Sequence, residues 1–321
     1  MANLPADQLA TLVQIANMYY KDNLSQQEIA NQLGVSRSLI ATYLQRARDQ
    51  QIVRIEIADP RDDSAHLALE LSRRFHIEKA ALVPHGHKSD ELTRRAVAAE
   101  AAKFISTRMK DGDVLGIGWG RTTSRMVDLL APTRSLSVDV APLLGESGHE
   151  STYSQMNHLI LRTAQRFGGQ PHFLLAPMVV GSPELRELLW QDEVVRGVAT
   201  QWDRMTIACF GIGVLPPTAG MIAYIGDAYT PMLMSKGAVG DVCVHPFNQR
   251  GDILETPLTD CMIGVGVKQL KRTPCRVAVA SGVSKAKAVI GALRTGLITH
   301  LFVDTALAEA VIAGGDADDL G

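Results

Sequence analysis

The chain of 321 residues contains no run of about 18 apolar side chains, the length that a membrane-spanning helix needs. No transmembrane helix and no membrane partner are therefore expected. The N-terminus, MANLPADQLATLVQ, has no basic segment leading into an apolar one, so a secretory signal is not expected either. Cysteine is scarce: Cys209, Cys243, Cys261 and Cys275 stand far apart and form no CxxC pair. They read as reduced, small core residues and not as a disulfide framework or a zinc site. A charge of one sign is also lacking. The net charge of −2 selects neither nucleic acid nor an acidic partner in bulk, so any basic surface must be local. His85 and His87 form an HxH pair with no third ligand nearby, and no metal is expected. Together these absences predict a cytoplasmic protein.

What is present is ordinary for a globular chain: 46% hydrophobic and 21% charged residues. The length allows two domains, one of them large enough for a full α/β core. The most informative stretch is Gly116–Thr123, GIGWGRTT. It follows Asp113-Val114-Leu115 and precedes an amphipathic segment, Arg125–Leu130. That is the order of a buried strand, a glycine turn and a helix. Gly116, Gly118 and Gly120 permit close approach of the backbone. The helix N-terminus behind them favours an anion, and Thr122 and Thr123 place two hydroxyls where a phosphate would sit. The same glycines also suit a purely structural strand-to-helix turn, and the stretch alone leaves both readings open. Trp119, inside the turn, is expected to pack and not to stack on a sugar.

The first sixty residues have a separate pattern. Asp7–Asn23 is predicted helical, with Leu9, Leu12, Val13, Ala16 and Tyr20 on one face. Ser25 and Glu28 form a capping box ahead of a helix over Gln26–Leu33, which Gly34 ends in the left-handed conformation. Ser36 caps a third helix, from Arg37 to about Gln50, that buries Ile40, Leu44 and Ala47. Two short helices joined by a glycine turn, with a small Ala30 early in the first, make a helix-turn-helix. The outer side of the third helix carries Arg37, Ser38, Thr42, Gln45 and Arg46, which can reach base edges and phosphates. Ser36, with Gln26 and Gln27 at the start of the preceding helix, completes the predicted DNA-contacting set. Between Ser36 and Arg54, Arg37, Arg46, Arg48 and Arg54 face Asp49 alone, a basic stripe on a nearly neutral chain. Ile52–Ile57 (IVRIEI) alternates like a short strand and would form a wing. An αα-hairpin with solvated arginines is the structural alternative.

The polar, proline-containing stretch Asp59–Ser64 marks a boundary. It divides the chain into a DNA-binding domain at 1–58, a linker at 59–64 and a larger domain at 65–321. After a helix over Ala65–Phe75, strands are predicted at Lys79–Val83, Asp113–Ile117, Ser137–Pro142, His172–Ala176, Arg204–Phe210, Gly240–His245, Arg276–Ala280 and Thr299–Val303. Helices are predicted between them at Glu91–Arg108, Arg125–Leu130, Tyr153–Phe167, Pro183–Trp190, Ala286–Leu293 and Leu307–Ala313. This alternation predicts a Rossmann-like α/β domain whose largely parallel sheet is covered on both faces, with ligands beyond the carboxyl ends of the strands. Glycine-rich or small polar turns at 116–123, 143–148, 210–213, 236–241 and 281–288 would converge there. Lys285, at a helix start after Ser281-Gly282, would reach a phosphate. Asp241, just past Gly240, would accept hydrogen bonds from sugar hydroxyls. A surface lysine and a turn-capping aspartate are the structural alternatives.

In four segments the chain resembles the SorC-type sugar-responsive transcriptional regulators. These are SQQEIANQLGVSRSLIATYLQRARDQQIVRI, VLGIGWGRTT, SKGAVGDVCVHPFNQRGDIL and VAVASGVSKAKAVIGALRTGLITHLFVD, in that order between about Gln14 and Ala313. The resemblance implies a winged-type helix-turn-helix domain and an effector domain related in fold to sugar-phosphate isomerases. It implies operator DNA as partner, a phosphorylated sugar or polyol as effector, no cofactor, and assembly as a homodimer or homotetramer. It places Gly118, Gly120, Thr122 and Thr123 in the phosphate turn and Gly145 in the turn after the third strand. It assigns Asp241 to the sugar and Lys285 to the phosphate. Leu144 and Glu146 stand where some members place an arginine or a second glycine, and Ser281-Gly282 replaces a frequent Gly-Gly. Both departures bear on whether the effector carries a second phosphate.

Two alternatives share parts of this pattern. A sugar-phosphate isomerase or deaminase needs a general base, for which Asp241 and Asp304 are the candidates. No His or Asp stands in a recognisable catalytic motif, so no catalytic residue is assigned and no enzymatic activity is expected. A nicotinamide-dependent dehydrogenase is disfavoured because Arg121 stands where GxGxxG requires its third glycine.

Overall fold

The structure, a computed structural model, describes residues 6–50, 52–53, 63–85, 89–147, 155–216 and 229–316. The chain divides into two compact units, Met1–Asp62 and Asp63–Gly321.

In the first unit, α1 (Ala6–Tyr20), α2 (Gln26–Leu33) and α3 (Arg37–Asp49) pack around Ile15, Ile29, Ala30, Ile40 and Leu44. The local signals form as expected. Ser25 Oγ accepts from the Glu28 N–H at 3.2 Å, and the Glu28 carboxylate accepts from the Ser25 N–H at 2.8 Å. Gly34, at φ +65°, ends α2, and Ser36 Oγ accepts from the Leu39 N–H at 3.2 Å. The buried face of α1 differs from the expected one. Leu12, Ile15 and Ala16 are buried, whereas Leu9 and Val13 are 46% and 41% exposed. Helix α1 is apolar around much of its girth, so spacing alone does not fix its face; packing against α2 and α3 selects Ile15. The helix also stops at Tyr20, because the chain turns at Asn23, φ +56°. Ile52 and Val53 form a bend after α3, and residues 54–57, the rest of the expected wing, lie outside the described residues. So does the expected linker apart from Asp63 and Ser64.

The second unit carries ten strands among its described residues. They are β1 (Lys79–Val83), β2 (Val114–Ile117), β3 (Asp139–Pro142), β4 (Gln170–Pro171), β5 (Ile207–Gly211), β6 (Gly213–Val214), β7 (Ala238–Val242), β8 (His245–Asn248), β9 (Cys275–Val279) and β10 (His300–Asp304). Seven of them form a parallel sheet in the order β1-β10-β9-β5-β2-β3-β4. The other three, β6-β7-β8, form a small antiparallel sheet. The helices are α4 (Ser64–Arg74), α5 (Asp90–Arg108), α6 (Arg121–Leu129), α7 (Met156–Phe167), α8 (Pro183–Gln191), α9 (Glu193–Asp203), α10 (Thr230–Ser235), α11 (Val267–Arg272), α12 (Ala286–Arg294) and α13 (Thr305–Asp316). All residues of β2 and β10 are buried, as a sheet covered on both faces requires. All four cysteines are buried and unpaired.

Several expected elements start late: β3 at Asp139, β5 at Ile207, after Arg204 has ended α9, and α7 at Met156. Three others differ more. His172–Ala176 is not a strand: β4 is two residues long, and the Asn157 side chain takes both backbone groups of Leu174, at 3.1 and 3.2 Å. Gly240–His245 is not a strand of the parallel sheet but spans the β7–β8 hairpin. Its turn residues Cys243 and Val244 sit at φ +47° and +68° without a glycine. Helix α6 begins at Arg121, four residues before the expected Arg125, so Thr122 and Thr123 lie in its first turn.

The strand order fixes where a ligand can sit. From β2 the chain runs outward through β3 to β4, then crosses back to β5 and continues to β9 and β10. The direction reverses between β2 and β5, the position where open α/β sheets form a binding crevice. All seven carboxyl ends meet at that one edge.

Candidate functional site

The glycine turn lies at this reversal. A Cβ on Gly118 would stand 2.8 Å from Phe210 Cβ and 3.2 Å from its Cα, so the turn can lie against β5 only with glycine there. The Gly118 N–H donates to the Cys209 carbonyl at 2.7 Å. Gly120, at φ +144°, then opens α6 without any side-chain cap. Helix α6 thus begins with uncapped backbone N–H groups at a carboxyl-edge crevice. Thr123, in the first turn, is fully buried, and its hydroxyl has no hydrogen-bond partner. Its Oγ1 lies 3.6 Å from where a Cβ on Gly120 would be and 3.9 Å from the same point on Gly211, at the end of β5. An orphaned buried hydroxyl costs about 1–3 kcal/mol, which a ligand acceptor would recover.

Lys285 comes from the opposite side of the crevice. It ends a short 3-10 turn, Val283–Lys285, and its Nζ donates to the Ile212 carbonyl at 2.7 Å. Burial lowers it to about 8; Asp241 opposes that shift, and Arg121 and Arg94 add to it. It is therefore not a free surface lysine. Asp241, buried in β7, lies against Gly213 and accepts from the Val244 N–H at 3.3 Å. Burial pushes it up to about 6, against the pull of that N–H and of Lys285. Its turn-capping role is real; Oδ2 takes the Val244 N–H, Oδ1 stands against Gly213, and the carboxylate's charge is felt at Lys285.

These shifts have a sign. Asp241 binds its proton more tightly when folded, so its contribution to stability is full below its ordinary value of 3.8 and is lost as pH rises through about 6. Asp241→Asn keeps an acceptor for Val244 and removes this titration. Urea midpoints of the variant at pH 4.5 and 7 are expected to lie closer together than those of the wild type.

Gly145 is placed by packing. A Cβ there would stand 2.6 Å from the Ala176 oxygen and the Pro177 carbonyl carbon, and its N–H donates to Ile263 O at 3.0 Å. Described contacts tie it to these segments and none to Lys285. Its neighbour Glu146 accepts from the backbone N–H groups of Met156 and Asn157 at 2.9 and 2.7 Å, so it caps α7. Glu146→Ala is expected to cost about 1 kcal/mol. In thermal denaturation that is a fall of roughly 2–4 °C, most of which Glu146→Gln should restore.

Asp304, fully buried, accepts from the N–H groups of Gly282 at 2.8 Å and Leu307 at 3.0 Å and lies 3.5 Å from His85 Nδ1. It holds the loop that carries Lys285. His87 lies outside the described residues, among which no three His, Cys, Asp or Glu side chains cluster to hold a metal.

Two cations that the sequence motifs do not mark, Arg121 and Arg94, act on Lys285 through their charge. Arg121 directly follows Gly120 in the sequence. Arg94 sits on α5, where no motif marks it; it pairs with Glu91 at 2.5 Å, and Arg125 reaches the same carboxylate at 3.1 Å.

In the first unit, Arg37, Ser38, Thr42, Gln45 and Arg46 are exposed on α3, Ser36 is spent as a cap, Gln27 is exposed and Gln26 is half-buried. The Thr42 hydroxyl donates to the Ser38 carbonyl at 3.0 Å. Gln45 bonds Asp49 at 2.8 Å and Arg48 at 2.6 Å, and Arg48 donates to the Tyr20 hydroxyl at 2.8 Å. Arg48 is therefore turned toward α1 and not along the basic stripe, and Arg54 lies outside the described residues.

Residues 59–313 match the family model described as "Putative sugar-binding domain". The chain is 26% identical over 312 residues to the sorbitol operon regulator of Klebsiella pneumoniae, covering 96% of this chain and 99% of that protein. It is 26% identical over 302 residues to the deoxyribonucleoside regulator of Bacillus subtilis (strain 168), covering 94% and 96%. The crystal structure of the full-length sorbitol operon regulator SorC from Klebsiella pneumoniae shares the fold. Its TM-score is 0.81 at 24% identity, over 96% of this chain and all of that one. The chain belongs to the SorC-type family of sugar-binding transcriptional regulators.

Proposed function

We propose that this protein binds operator DNA of a carbohydrate or polyol utilisation operon and that a phosphorylated sugar or polyol, bound at the β2–β5 crevice, sets its affinity for that DNA. The observation that carries this reading is the unpartnered, buried Thr123 hydroxyl at the uncapped start of α6, across from Lys285. The turn at Gly118 and Gly120, with Thr122, Thr123 and Lys285, holds the phosphate, and Asp241 accepts from sugar hydroxyls. Gly145 shapes the neighbouring loop. The relatives named for a sorbitol operon and for deoxyribonucleosides support an effector of this chemical class.

Arg37 and Arg46 contact DNA phosphates, and Ser38, Thr42 and Gln45 meet base edges. Gln26, Gln27 and Ser36 fix the helix on the backbone. Two copies present paired recognition helices, and a dimer or tetramer matches them to operator half-sites. The effector switches the protein only by binding two geometries with different affinity. Asp304 is already an acceptor for two backbone N–H groups, which counts against its use as a general base.

A thermal-shift screen of sugar and polyol phosphates tests the effector half. A ligand at a hundredfold excess over its Kd stabilises by about 2.7 kcal/mol. In gel-shift assays, Thr123→Val with Lys285→Ala is expected to abolish the effector response and keep operator binding, whereas Arg37→Ala is expected to abolish operator binding and keep the effector's thermal shift. A double variant that still responds, or turnover of ribose or glucosamine phosphates by residues 65–321, overturns the reading.

A further inference from the structure

The charges around the start of α6 do not balance. Glu91 serves both Arg94 and Arg125, at 2.5 and 3.1 Å, and Lys285 has Asp241 beside it. Arg121, exposed and close enough for its charge to be felt at Lys285, has no carboxylate partner among the described residues.

We propose that Arg121 is an effector ligand that reads the second negative charge of a phosphate monoester, so that the crevice selects dianionic phosphates over singly charged esters. This rests on the phosphorylated-effector reading above. Arg121 is the first residue of α6, directly after Gly120. An anion placed on the uncapped N–H groups of that turn also meets the orphaned Thr123 hydroxyl. Those groups, with a Lys285 whose charge is partly offset by Asp241, neutralise about one negative charge. The helix end itself contributes roughly half a positive charge. A second negative charge is left for Arg121, whose planar fork can take two phosphate oxygens at once. A solvated arginine with no ligand contact would add only a weak, salt-screened attraction, far short of a tenfold preference for the dianion.

A sulfate ester keeps the shape of a phosphate ester and carries one charge fewer above the second phosphate pKa of about 6. The test is titration calorimetry on the full chain at pH 7.5, using sorbitol 6-phosphate, glucose 6-phosphate and ribose 5-phosphate and the sulfate ester of whichever sugar binds. Wild-type protein is expected to favour the phosphate by tenfold or more. Arg121→Gln is expected to weaken the phosphate about tenfold or more and the sulfate less than threefold, and Arg121→Lys to restore part of the preference. Operator binding without ligand should be unchanged in both variants, which shows that they fold. Equal weakening of both esters by Arg121→Gln, or of neither, overturns the Arg121 assignment alone. Failure of every phosphate to bind the wild type overturns the proposed function, and the assignment with it.

Discussion

Lys285→Met is expected to weaken binding of a phosphorylated effector by roughly a hundredfold. Removing one partner of a desolvated charge contact costs about 2–5 kcal/mol, and each 1.4 kcal/mol is about tenfold in Kd. Methionine keeps the length and the apolar stem while removing the ammonium. The stability of the free protein should change little, because the folded state already disfavours the charged lysine, whose pKa burial lowers to about 8. Ile212 loses its 2.7 Å donor and Asp241 loses its neighbouring cation, so Asp241 should hold its proton to higher pH. Calorimetry on wild type and variant, with a gel-shift control for operator binding, measures this. A change in Kd below fivefold would mean that Lys285 does not touch the effector.

Asp304→Ala is expected to have the largest effect on stability, about 3 kcal/mol. Two buried N–H groups, of Gly282 and Leu307, lose their acceptor, and each orphan costs about 1–3 kcal/mol. For a unit of this size that is a fall in Tm of roughly 6–12 °C. Asp304→Asn retains one acceptor and should fall between the two. The result separates a tie from a catalytic base. An active-site carboxylate is commonly held at a cost, so its removal tends to stabilise. If Asp304→Ala raises Tm, the enzyme reading regains its ground.

Legibility in the sequence followed the range of the forces involved. The capping box at Ser25 and Glu28 and the left-handed Gly34 are local chemistry, and both stand where the sequence places them. The bounds of β1 at Lys79–Val83 match as well, because Ala80–Val83 is a short apolar run between polar ends, even though β1 is an edge strand that buries only Ala80. The β7–β8 hairpin was hidden because Cys243-Val244 carries no turn signal; the bend depends on an aspartate two residues upstream. The starts of α6 and α7 were hidden for a related reason. One depends on the backbone angle of Gly120, and the other on a carboxylate ten residues away, Glu146. Of the candidate site residues, Thr123, Lys285 and Asp241 are legible as residue types next to glycine turns. The influence of Arg94 on Lys285 is not, since it depends on the packing of α5 against α6.

The β7–β8 turn has one more consequence. A valine at φ +68° is a conformation that β-branched residues avoid, and the carboxylate of Asp241 holds its N–H in place. The carboxylate that clamps this strained bend is also the one proposed to accept from the effector's sugar hydroxyls. The rate at which the Val244 amide exchanges its proton for deuterium is therefore a gauge of which of the two tasks Asp241 is performing.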